Sequence, residues 1–302
     1  MASVAYLITV YNKAPYLDTV IKGLAQQQGD FERSFVFVDD GSTDDSREIV
    51  RRLTKDWTKV LRLEQPNAGP SSAFNLGLDH VEADYIKALD GDDELTPSAT
   101  RTLLKAIEST GCLFAFGRRG DNEHQGATPE SVSASVITDP LSLSIKLAHT
   151  TPSMWLAKTE VVKSVRGCDT GVFIQDYSLE LRMARATAFA RVDGDVFHAP
   201  TRAPGRLSDN EAQTLHDVNL ALARFVDEHP DLDLRYRRLA WRRAAGRAWK
   251  WAFKRAGRTV FSKECFRHIE SCVRPGAPPP RRLLETCEIF RETHPIRLMG
   301  AQ

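Results

Sequence analysis

The chain has 302 residues, of which 42% are hydrophobic and 27% are charged, and these ordinary globular proportions exclude a disordered or fibrous chain. The net charge of +1 hides a gradient, because residues 1–100 hold 10 basic and 17 acidic residues whereas residues 235–302 hold 17 basic and 5 acidic ones. A weakly acidic front and a strongly basic tail predict different partners for the two ends.

The number and spacing of the cysteines and the length of the apolar runs indicate the cellular compartment of the protein. The five cysteines are odd in number and no two of them have the two-residue spacing of a zinc knuckle, so neither a metal knuckle nor a disulfide framework is predicted. Residues 1–12 lack the basic and long apolar regions of a secretory signal, and no apolar run approaches the length that crosses a bilayer. We therefore expect a cytoplasmic protein, with peripheral attachment to the inner face of the membrane as a further expectation.

Strand and helix patterns alternate along the first 116 residues. Short apolar runs predict strands at residues 4–10, 34–40, 59–64, 84–90 and 112–117. Apolar residues at helical spacing, preceded by proline or cap-forming residues, predict helices at residues 15–27, 42–53, 70–80 and 96–109. This rhythm predicts an α/β fold with a mostly parallel sheet covered by helices on both faces, and such sheets bind ligands beyond the carboxyl ends of their strands.

The rest of the chain is less regular and then becomes helical. Residues 117–140 are polar and predict a long loop. Two strands and one helix are predicted at residues 153–157, 189–199 and 175–186. Beyond residue 207 the pattern is helical, beginning with a capping box of Ser208 and Glu211. The predicted domains are an α/β domain at 1–206, with halves of about 1–116 and 117–206, and a basic helical extension at 207–302.

Two acidic clusters stand where predicted strands end. Asp39 and Asp40 close the second strand, and Asp90, Asp92 and Asp93 close the fourth with a single glycine among them. Two unit charges about 4 Å apart repel by roughly 4 kcal/mol at an effective dielectric near 20. Solvent, raised pKa values or a bound cation can relieve such crowding. The simpler interpretation of these clusters is turn and helix capping, or a solvated acidic loop.

Four segments, in their order and spacing, resemble the family 2 glycosyltransferases, which are inverting enzymes of the Rossmann-like GT-A fold. The segments are ITVYN (8–12), FVDDGSTDDS (37–46), NAGPSSAFNLGL (67–78) and ALDGDDEL (88–95). The resemblance covers roughly residues 3–205. It implies transfer of a sugar from a nucleotide-sugar, with a UDP-sugar expected, to an acceptor hydroxyl in the synthesis of cell-envelope or extracellular polysaccharide or glycolipid.

The resemblance also implies roles for particular residues in the donor site. Asp39 would bind uracil beside Thr9 and Tyr11, with the ring of Tyr11 stacked on the base. Asp92 would coordinate Mn²⁺ or Mg²⁺ directly, and Asp90 would lie nearer the ribose or a metal-bound water. The nucleotide-sugar site would further include Asn67, Gly69 and Arg202.

One further carboxylate is predicted to be the catalytic base. An inverting displacement needs a base that takes the proton of the acceptor hydroxyl, and the resemblance assigns this role to Asp176. A helix N-cap is the alternative for that residue. Three positions depart from the family pattern, because Phe74, Gln175 and Pro204 stand where arginine, glutamate and histidine are usual. These departures keep open a rival interpretation, a non-catalytic nucleotide- or carbohydrate-binding relative with a role in assembly.

The basic tail predicts a surface for a charged partner. Residues 235–258 hold ten basic and no acidic residues. On a helix, several of the basic residues share one stripe, and Trp241 shares the opposite stripe with alanines. Such a helix suits an anionic membrane surface. Packing of the tryptophan–alanine face inside the protein is the alternative, and nucleic-acid binding is a third interpretation that the catalytic segments do not favour.

Overall fold

A computed structural model describes residues 1–120, 133–200, 210–276 and 278–299 of the chain. These residues form two compact units, which we name the sheet unit and the helical unit. The sheet unit holds the described residues of Met1–Pro140, Thr150–Cys168 and Met183–Ala203. The helical unit holds those of Leu141–His149, Asp169–Arg182 and Pro204–Gln302. The predicted domain boundary at 206, the predicted cap Ser208 and the predicted site residue Arg202 lie outside the described residues.

The described residues of the sheet unit form a nine-stranded sheet. Its strands are β1 (Ser3–Val10), β2 (Glu32–Asp39), β3 (Val60–Glu64), β4 (Tyr85–Asp90), β5 (Glu94–Leu95), β6 (Phe114–Arg119), β7 (Ala134–Ile137), β8 (Trp155–Lys158) and β9 (Phe189–His198). Their order is β3-β2-β1-β4-β8-β6-β9-β5, with β7 paired to β9. Strands β3, β2, β1 and β4 are parallel, whereas β8 runs antiparallel to β4 and β6. The predicted α/β fold is confirmed, and the half of the sheet beyond β4 is mixed.

The polar segment that the sequence predicts as a loop contains additional strand structure. β6 continues to Arg119, and β7 pairs antiparallel with β9 over four residues. The prediction of a continuous loop over 117–140 is therefore wrong at both ends, while residues 121–132 lie outside the described chain. The β7 segment, four residues long, is too short for a local pattern, and its pairing depends on a strand more than 50 residues later in the chain.

Helices pack on the sheet through the apolar stripes that their spacing predicts. In the sheet unit these helices are α1 (Leu17–Ala25), α2 (Ser46–Leu53), α3 (Pro70–Asp79), α4 (Ala99–Thr110) and α6 (Thr159–Ser164). Nearly all of α5 (Pro140–Lys146) and most of α7 (Gln175–Ala186) belong to the helical unit. Helix α3 approaches the sheet at Gly77, where a Cβ would lie 2.0 Å from Cδ1 of Leu7 and 2.9 Å from Cγ2 of Val38. Only glycine permits this close approach of helix and strand.

The helical unit contains the C-terminal helices of the described chain. They are α8 (Glu211–Glu228), α9 (Leu234–Arg255), α10 (Lys263–Val273), α11 (Arg281–Leu284) and α12 (Glu288–Thr293). Helix α8 begins at Asn210, whose side chain accepts a hydrogen bond of 3.0 Å from the backbone N–H of Gln213. One apolar core cluster joins three of these helices and consists of Ala212, Ala248, Trp251, Ala252, Ile289 and Phe290.

Helix α9 confirms the predicted amphipathic pattern, but both of its faces differ from a free membrane-binding helix. Trp241 and the alanines beside it are buried, so the tryptophan–alanine face is not open to a bilayer. On the basic side, Nε of Arg247 donates a hydrogen bond of 2.8 Å to Oδ1 of Asn219. Within the described residues, none of the helices combines the length and the apolar character that crossing a membrane requires. Membrane contact through residues 235–258 stays a prediction.

Candidate active site

Strand register brings the predicted donor residues of β1, β2 and β4 to one edge of the sheet. Val10 is paired with Asp39, and Thr9 is paired with Asp90. Because the three strands are parallel neighbours, their carboxyl ends meet at the same edge. Both acidic clusters therefore lie at the edge where α/β sheets bind ligands, as the sequence predicts.

Asp39 has one satisfied and one unsatisfied carboxylate oxygen. The residue is only 7% exposed, and its Oδ1 accepts a hydrogen bond of 2.8 Å from the backbone N–H of Ser42, with Nε of Arg47 at 3.6 Å. Its Oδ2 is buried and has no hydrogen-bond partner among the described residues. Asp39 lines a cavity of about 360 Å³ together with Val10 and Phe37. A buried carboxylate oxygen without a donor is costly, so a ligand N–H at this position would be strongly favoured.

Asp40 organises the loop that carries two of the predicted site residues. Its Oδ1 accepts hydrogen bonds from Nε2 of Gln65 at 2.6 Å and from the backbone N–H of Ala68 at 2.8 Å. Its Oδ2 accepts the backbone N–H of Gly69 at 2.9 Å. With both oxygens occupied, Asp40 holds the segment containing Asn67 and Gly69 against the end of β2. These contacts are structural, so the simpler interpretation, a turn-forming aspartate, applies to Asp40.

The turn after β2 is tight because backbone segments meet there. Gly41 has a φ of 77°, and a Cβ on it would lie 2.7 Å from the backbone nitrogen of Asn67. The hydroxyl of Ser42 accepts the backbone N–H of Asn12 at 3.0 Å. Helix α2 consequently begins at Ser46 and not at residue 42 as the sequence predicts, since the polar residues before it bind the turn after β1.

That turn after β1 presents the predicted stacking residue. Asn12 adopts a left-handed conformation with a φ of 52°, and its Oδ1 accepts the backbone N–H of Thr43 at 2.8 Å. Tyr11, which precedes it, is 45% exposed, whereas Thr9 in the strand is half-buried. The ring of Tyr11 is thus accessible to a planar ligand at the same edge as Asp39.

The second acidic cluster folds back on β1 through a glycine. The backbone N–H of Gly91 donates to the carbonyl of Thr9 at 3.1 Å, and a Cβ at this glycine would lie 2.9 Å from that oxygen. The carboxylates then diverge. Oδ2 of Asp93 accepts the hydroxyl of buried Ser153 at 2.6 Å, while Oδ2 of Asp92 accepts Nζ of Lys13 at 2.6 Å. The cluster is tolerated because each of these two carboxylates has its own donor.

A buried lysine, which the sequence analysis does not single out, lies beneath this cluster. Lys87 of β4 is fully buried, and its Nζ donates to the carbonyls of Ala88 at 2.9 Å and Ser153 at 2.7 Å. Burial lowers the pKa of Lys87 to about 7, while the charges of Asp93 and Asp90 oppose that shift. The sequence indicates this buried cation only by placing a lysine inside an otherwise apolar strand.

The residues at this edge fit a hard divalent cation that keeps ligands from solvent and substrate. Asp90 and Asp92 are the two predicted ligands for such an ion, and no group of three or more His, Cys, Asp or Glu side chains with metal-binding geometry occurs among the described residues. Mg²⁺ and Mn²⁺ are commonly bound through one or two carboxylates, with waters and phosphate oxygens completing the shell. The ammonium of Lys13 on Asp92 indicates that a positive charge is favoured at this point.

Asp176 lies in the helical unit, as the second residue of α7. It is therefore inside the first turn and is not the N-cap. Its Oδ1 accepts the backbone N–H of Tyr177 at 2.8 Å. Burial raises the pKa of Asp176 to about 6, and the negative charge of Glu180 acts in the same direction. Such a carboxylate is ionised at neutral pH and accepts a proton more readily than an exposed aspartate does.

A Rossmann-like parallel half-sheet with carboxylates along its carboxyl edge defines an α/β protein of the nucleotide-binding class. The family model "Glycosyl transferase family 2" matches residues 6–166, which are more than half of the chain. The chain therefore belongs to the glycosyl transferase family 2, and the resemblance carried by the four segments is confirmed.

Related proteins and solved structures agree with this assignment. A teichoic acid poly(glycerol phosphate) polymerase of Staphylococcus epidermidis is 33% identical over 118 residues, which are 38% of this chain and 16% of that protein. The chain spans between 16% and 57% of the length of eight such relatives.

Two solved structures extend the comparison to the fold. TarS 1–349 of S. aureus, in complex with UDP-GlcNAc, matches with a TM-score of 0.67 at 16% identity, covering 89% of this chain and 79% of that chain. The mannosyltransferase PcManGT of Pyrobaculum calidifontis, in complex with GDP-Man and Mn²⁺, matches with a TM-score of 0.59 at 14% identity, covering 96% and 85%. At these identities the likeness concerns the fold alone, and the fold is the predicted GT-A fold.

Proposed function

We propose that this glycosyltransferase is metal-dependent and inverting, and that it moves a sugar from a UDP-sugar to an acceptor hydroxyl. The observation that carries the proposal is the buried, unsatisfied Oδ2 of Asp39 beside the cavity at the end of β2. A uracil ring offers an imide N–H that would satisfy this oxygen. Nε of Arg47 lies 3.6 Å from the other oxygen, so the cation is on the side of the carboxylate away from the proposed uracil contact.

The second acidic cluster supports the metal part of the proposal. Asp92 and Asp90 would hold Mn²⁺ or Mg²⁺, which when bound neutralises charge developing on the leaving diphosphate. Thr9, Asn67 and Gly69 belong to the same edge and would contact the nucleotide-sugar. Arg202, predicted to contact the diphosphate, lies outside the described residues and stays a prediction.

The chemistry of Asp176 supports a single inverting displacement. A base with a pKa of about 6 is deprotonated at neutral pH and still basic enough to take the acceptor's proton as the new bond forms. The proposal assigns that proton transfer to Asp176. Gln175 replaces the usual glutamate beside it without changing the carboxylate that would receive the proton.

The acceptor and the pathway belong to the same proposal. The relative from Staphylococcus epidermidis is a teichoic acid polymerase, and that name supports an envelope polymer or lipid-linked glycan as the acceptor class here. A cytoplasmic location at the inner face of the membrane is part of the same proposal. The non-catalytic binding relative remains its rival, although Phe74, at the position of the missing arginine, is simply a core residue at 3% exposure.

A thermal-shift screen of UDP, GDP, CDP and ADP, each with and without Mn²⁺, tests the donor site. Ligands that bind only the folded state raise the melting temperature by mass action. We expect the largest rise with UDP and Mn²⁺, and about tenfold to hundredfold weaker UDP binding in Asp39→Asn. Asp45→Asn is the matched control, because Asp45 lines the same cavity but makes no cap hydrogen bond.

Two results of this screen would contradict the proposal. If no nucleotide raises the melting temperature of the wild-type protein, the proposed donor site is refuted. If another nucleotide raises it more than UDP does, the proposal that the donor carries uridine is refuted. Nucleotide binding without transfer from any UDP-sugar, under conditions that include Mn²⁺, would favour the non-catalytic rival.

A further inference from the structure

Exposed apolar side chains are concentrated in one stretch of the helical unit. Six of the fourteen exposed large apolar side chains among the described residues lie between positions 253 and 273. They are Phe253, Val260, Phe261, Phe266, Ile269 and Val273. Single exposed apolar residues are ordinary, but a contiguous group of them marks an interaction site.

Helix α10 supplies the ordered part of this group. Phe266, Ile269 and Val273 are three and four residues apart, so they share one face of the helix, and they are 57%, 51% and 73% exposed. The opposite side contains Glu264 and Ser271, which are buried. With Cys265 also buried, helix α10 packs by a small, largely polar side and turns its large apolar side chains outward, whereas a surface helix usually packs by its large apolar side chains.

The end of α9 and the connection to α10 hold further exposed apolar side chains. A Cβ at Gly246 of α9 would lie 3.4 Å from the ring of His268, so α10 packs on the C-terminal half of α9. Phe253 lies in the last turn of α9, and the centre of its ring is 5.4 Å from that of Trp249. Phe261, in the connection, is 81% exposed. We name the resulting region the α10 surface, and its apolar members are Phe253, Phe261, Phe266, Ile269 and Val273.

The charges next to the α10 surface are positive. Lys250 and Lys254 of α9 are exposed and make no ion pair within the described chain. The acidic residues of α10 do not offset them, because Glu264 is buried and Glu270 is paired with Arg274 at 2.8 Å and with Arg282. The partner of this surface must therefore present apolar volume and negative charge together.

We propose that the α10 surface binds the anionic face of a phospholipid bilayer. Its aromatic and aliphatic side chains would enter the boundary between head groups and acyl chains, while Lys250 and Lys254 would contact lipid phosphates. A second copy of the chain fits less well, because the acidic residues that its own α10 would offer to the two lysines are buried or already paired.

The proposed membrane contact lies further along the chain than the one that the sequence predicts. The sequence predicts the contact through 235–258, but the tryptophan–alanine face of α9 is buried, so α10 provides most of the apolar contribution. The proposal concerns attachment alone. It does not depend on Asp39 or Asp176, and it holds or fails separately from the proposed transfer reaction.

Co-sedimentation with vesicles tests the proposal on the full chain. Vesicles of phosphatidylcholine alone are compared with vesicles of phosphatidylcholine and phosphatidylglycerol, using wild type, F261S/F266S and K250Q/K254Q. We expect wild type to bind only the anionic vesicles, with about thirtyfold weaker binding when both lysines are neutralised. The phenylalanine double variant should lose at least as much. L61S/V136S, a matched pair of exposed apolar positions in the sheet unit, should bind as wild type does.

Three outcomes would overturn the proposal. The first is equal binding of wild type to both kinds of vesicle, and the second is wild-type affinity in F261S/F266S with an unchanged melting temperature. The third is a wild-type dimer in light scattering that F261S/F266S converts to a monomer, without vesicle binding by either protein. All substituted side chains are exposed, so circular dichroism is expected to show unchanged folding.

Discussion

The carboxylates at the edge of the sheet unit and the carboxylate of α7 in the helical unit differ in their surroundings. At the edge, Asp40 accepts three hydrogen bonds and Asp92 faces an ammonium. Asp176 accepts one backbone hydrogen bond, is desolvated, and feels the negative charge of Glu180. The same residue type is thus suited to accept hydrogen bonds or hold a cation where donors and cations surround it, and to the proposed role of a base where they are few.

The largest expected effect comes from removing the base. We expect Asp176→Asn to lower the transfer rate by about a hundredfold to ten-thousandfold, because a general base contributes about that much, while UDP binding stays unchanged. Asp39→Asn should do the reverse, weakening UDP binding with less effect on the rate at saturating donor. Initial rates with Mn²⁺ and calorimetric titration of UDP separate the two. If both variants lost transfer rate and UDP affinity to the same extent, the separate roles assigned to Asp39 and Asp176 would be refuted.

The next effect is the pH dependence expected from Asp176. The protonated carboxylic acid cannot accept a proton, so kcat should fall about tenfold for each pH unit below the pKa of about 6 and be level above it. The measurement is kcat from about pH 5 to about pH 8 at saturating donor. A profile without a break near 6, or the same break in the residual activity of Asp176→Asn, would contradict the assignment.

Stability should respond in opposite directions at the two carboxylates. The pKa of Asp176 is higher in the folded than in the unfolded chain, so stability is lost as pH rises from about 4 to about 6 and the loss is complete above that range. Asp176→Asn should therefore raise the free energy of unfolding at pH 8 by about 3 kcal/mol. Asp40→Ala should lower it by about 3 kcal/mol, since one buried and two partly buried hydrogen bonds are lost. Urea unfolding measures both, and a stabilising Asp40→Ala would refute its structural role.

The smallest effect concerns the ion pair on Asp92. Removal of the Lys13 ammonium frees a carboxylate oxygen, so Lys13→Met should bind Mn²⁺ about threefold to fivefold more tightly without nucleotide. Paramagnetic resonance of free Mn²⁺ measures the affinity directly. Lys22→Met, at an exposed lysine of α1, is the matched control. Unchanged or weaker Mn²⁺ binding in Lys13→Met would mean that the ammonium does not compete for the metal position.

Local patterns were sufficient for the parallel half of the fold and for the position of the donor edge. The alternation of strand and helix over the first 116 residues predicts β1 to β4, and the carboxyl ends of these strands follow from that topology. The identity of Asp39, Asp90 and Asp92 as candidates came from family resemblance and not from periodicity.

Contacts between distant residues account for what the sequence did not predict. Lys13 and Asp92 are 79 positions apart, and Lys87 reaches Ser153 across 66. The different roles of Asp39 and Asp40 depend on the course of the later 65–69 loop, which no local pattern encodes. The pKa of Asp176 depends on desolvation, which needs the packed helical unit. Likewise, the outward apolar face of α10 appears only when its buried side is known.

Gly77 offers a means of tuning the donor edge without changing a polar group. A methyl group there would act as a spacer between α3 and the strands beneath it, since Leu7 and Val38 already occupy the space. Helix α3 starts directly after Gly69, so lifting the helix would carry the 65–69 loop away from β2 and strain its bonds to Asp40. The width of the nucleotide cleft is thus coupled to the size of one side chain in the hydrophobic layer, where selection or design could alter substrate fit indirectly.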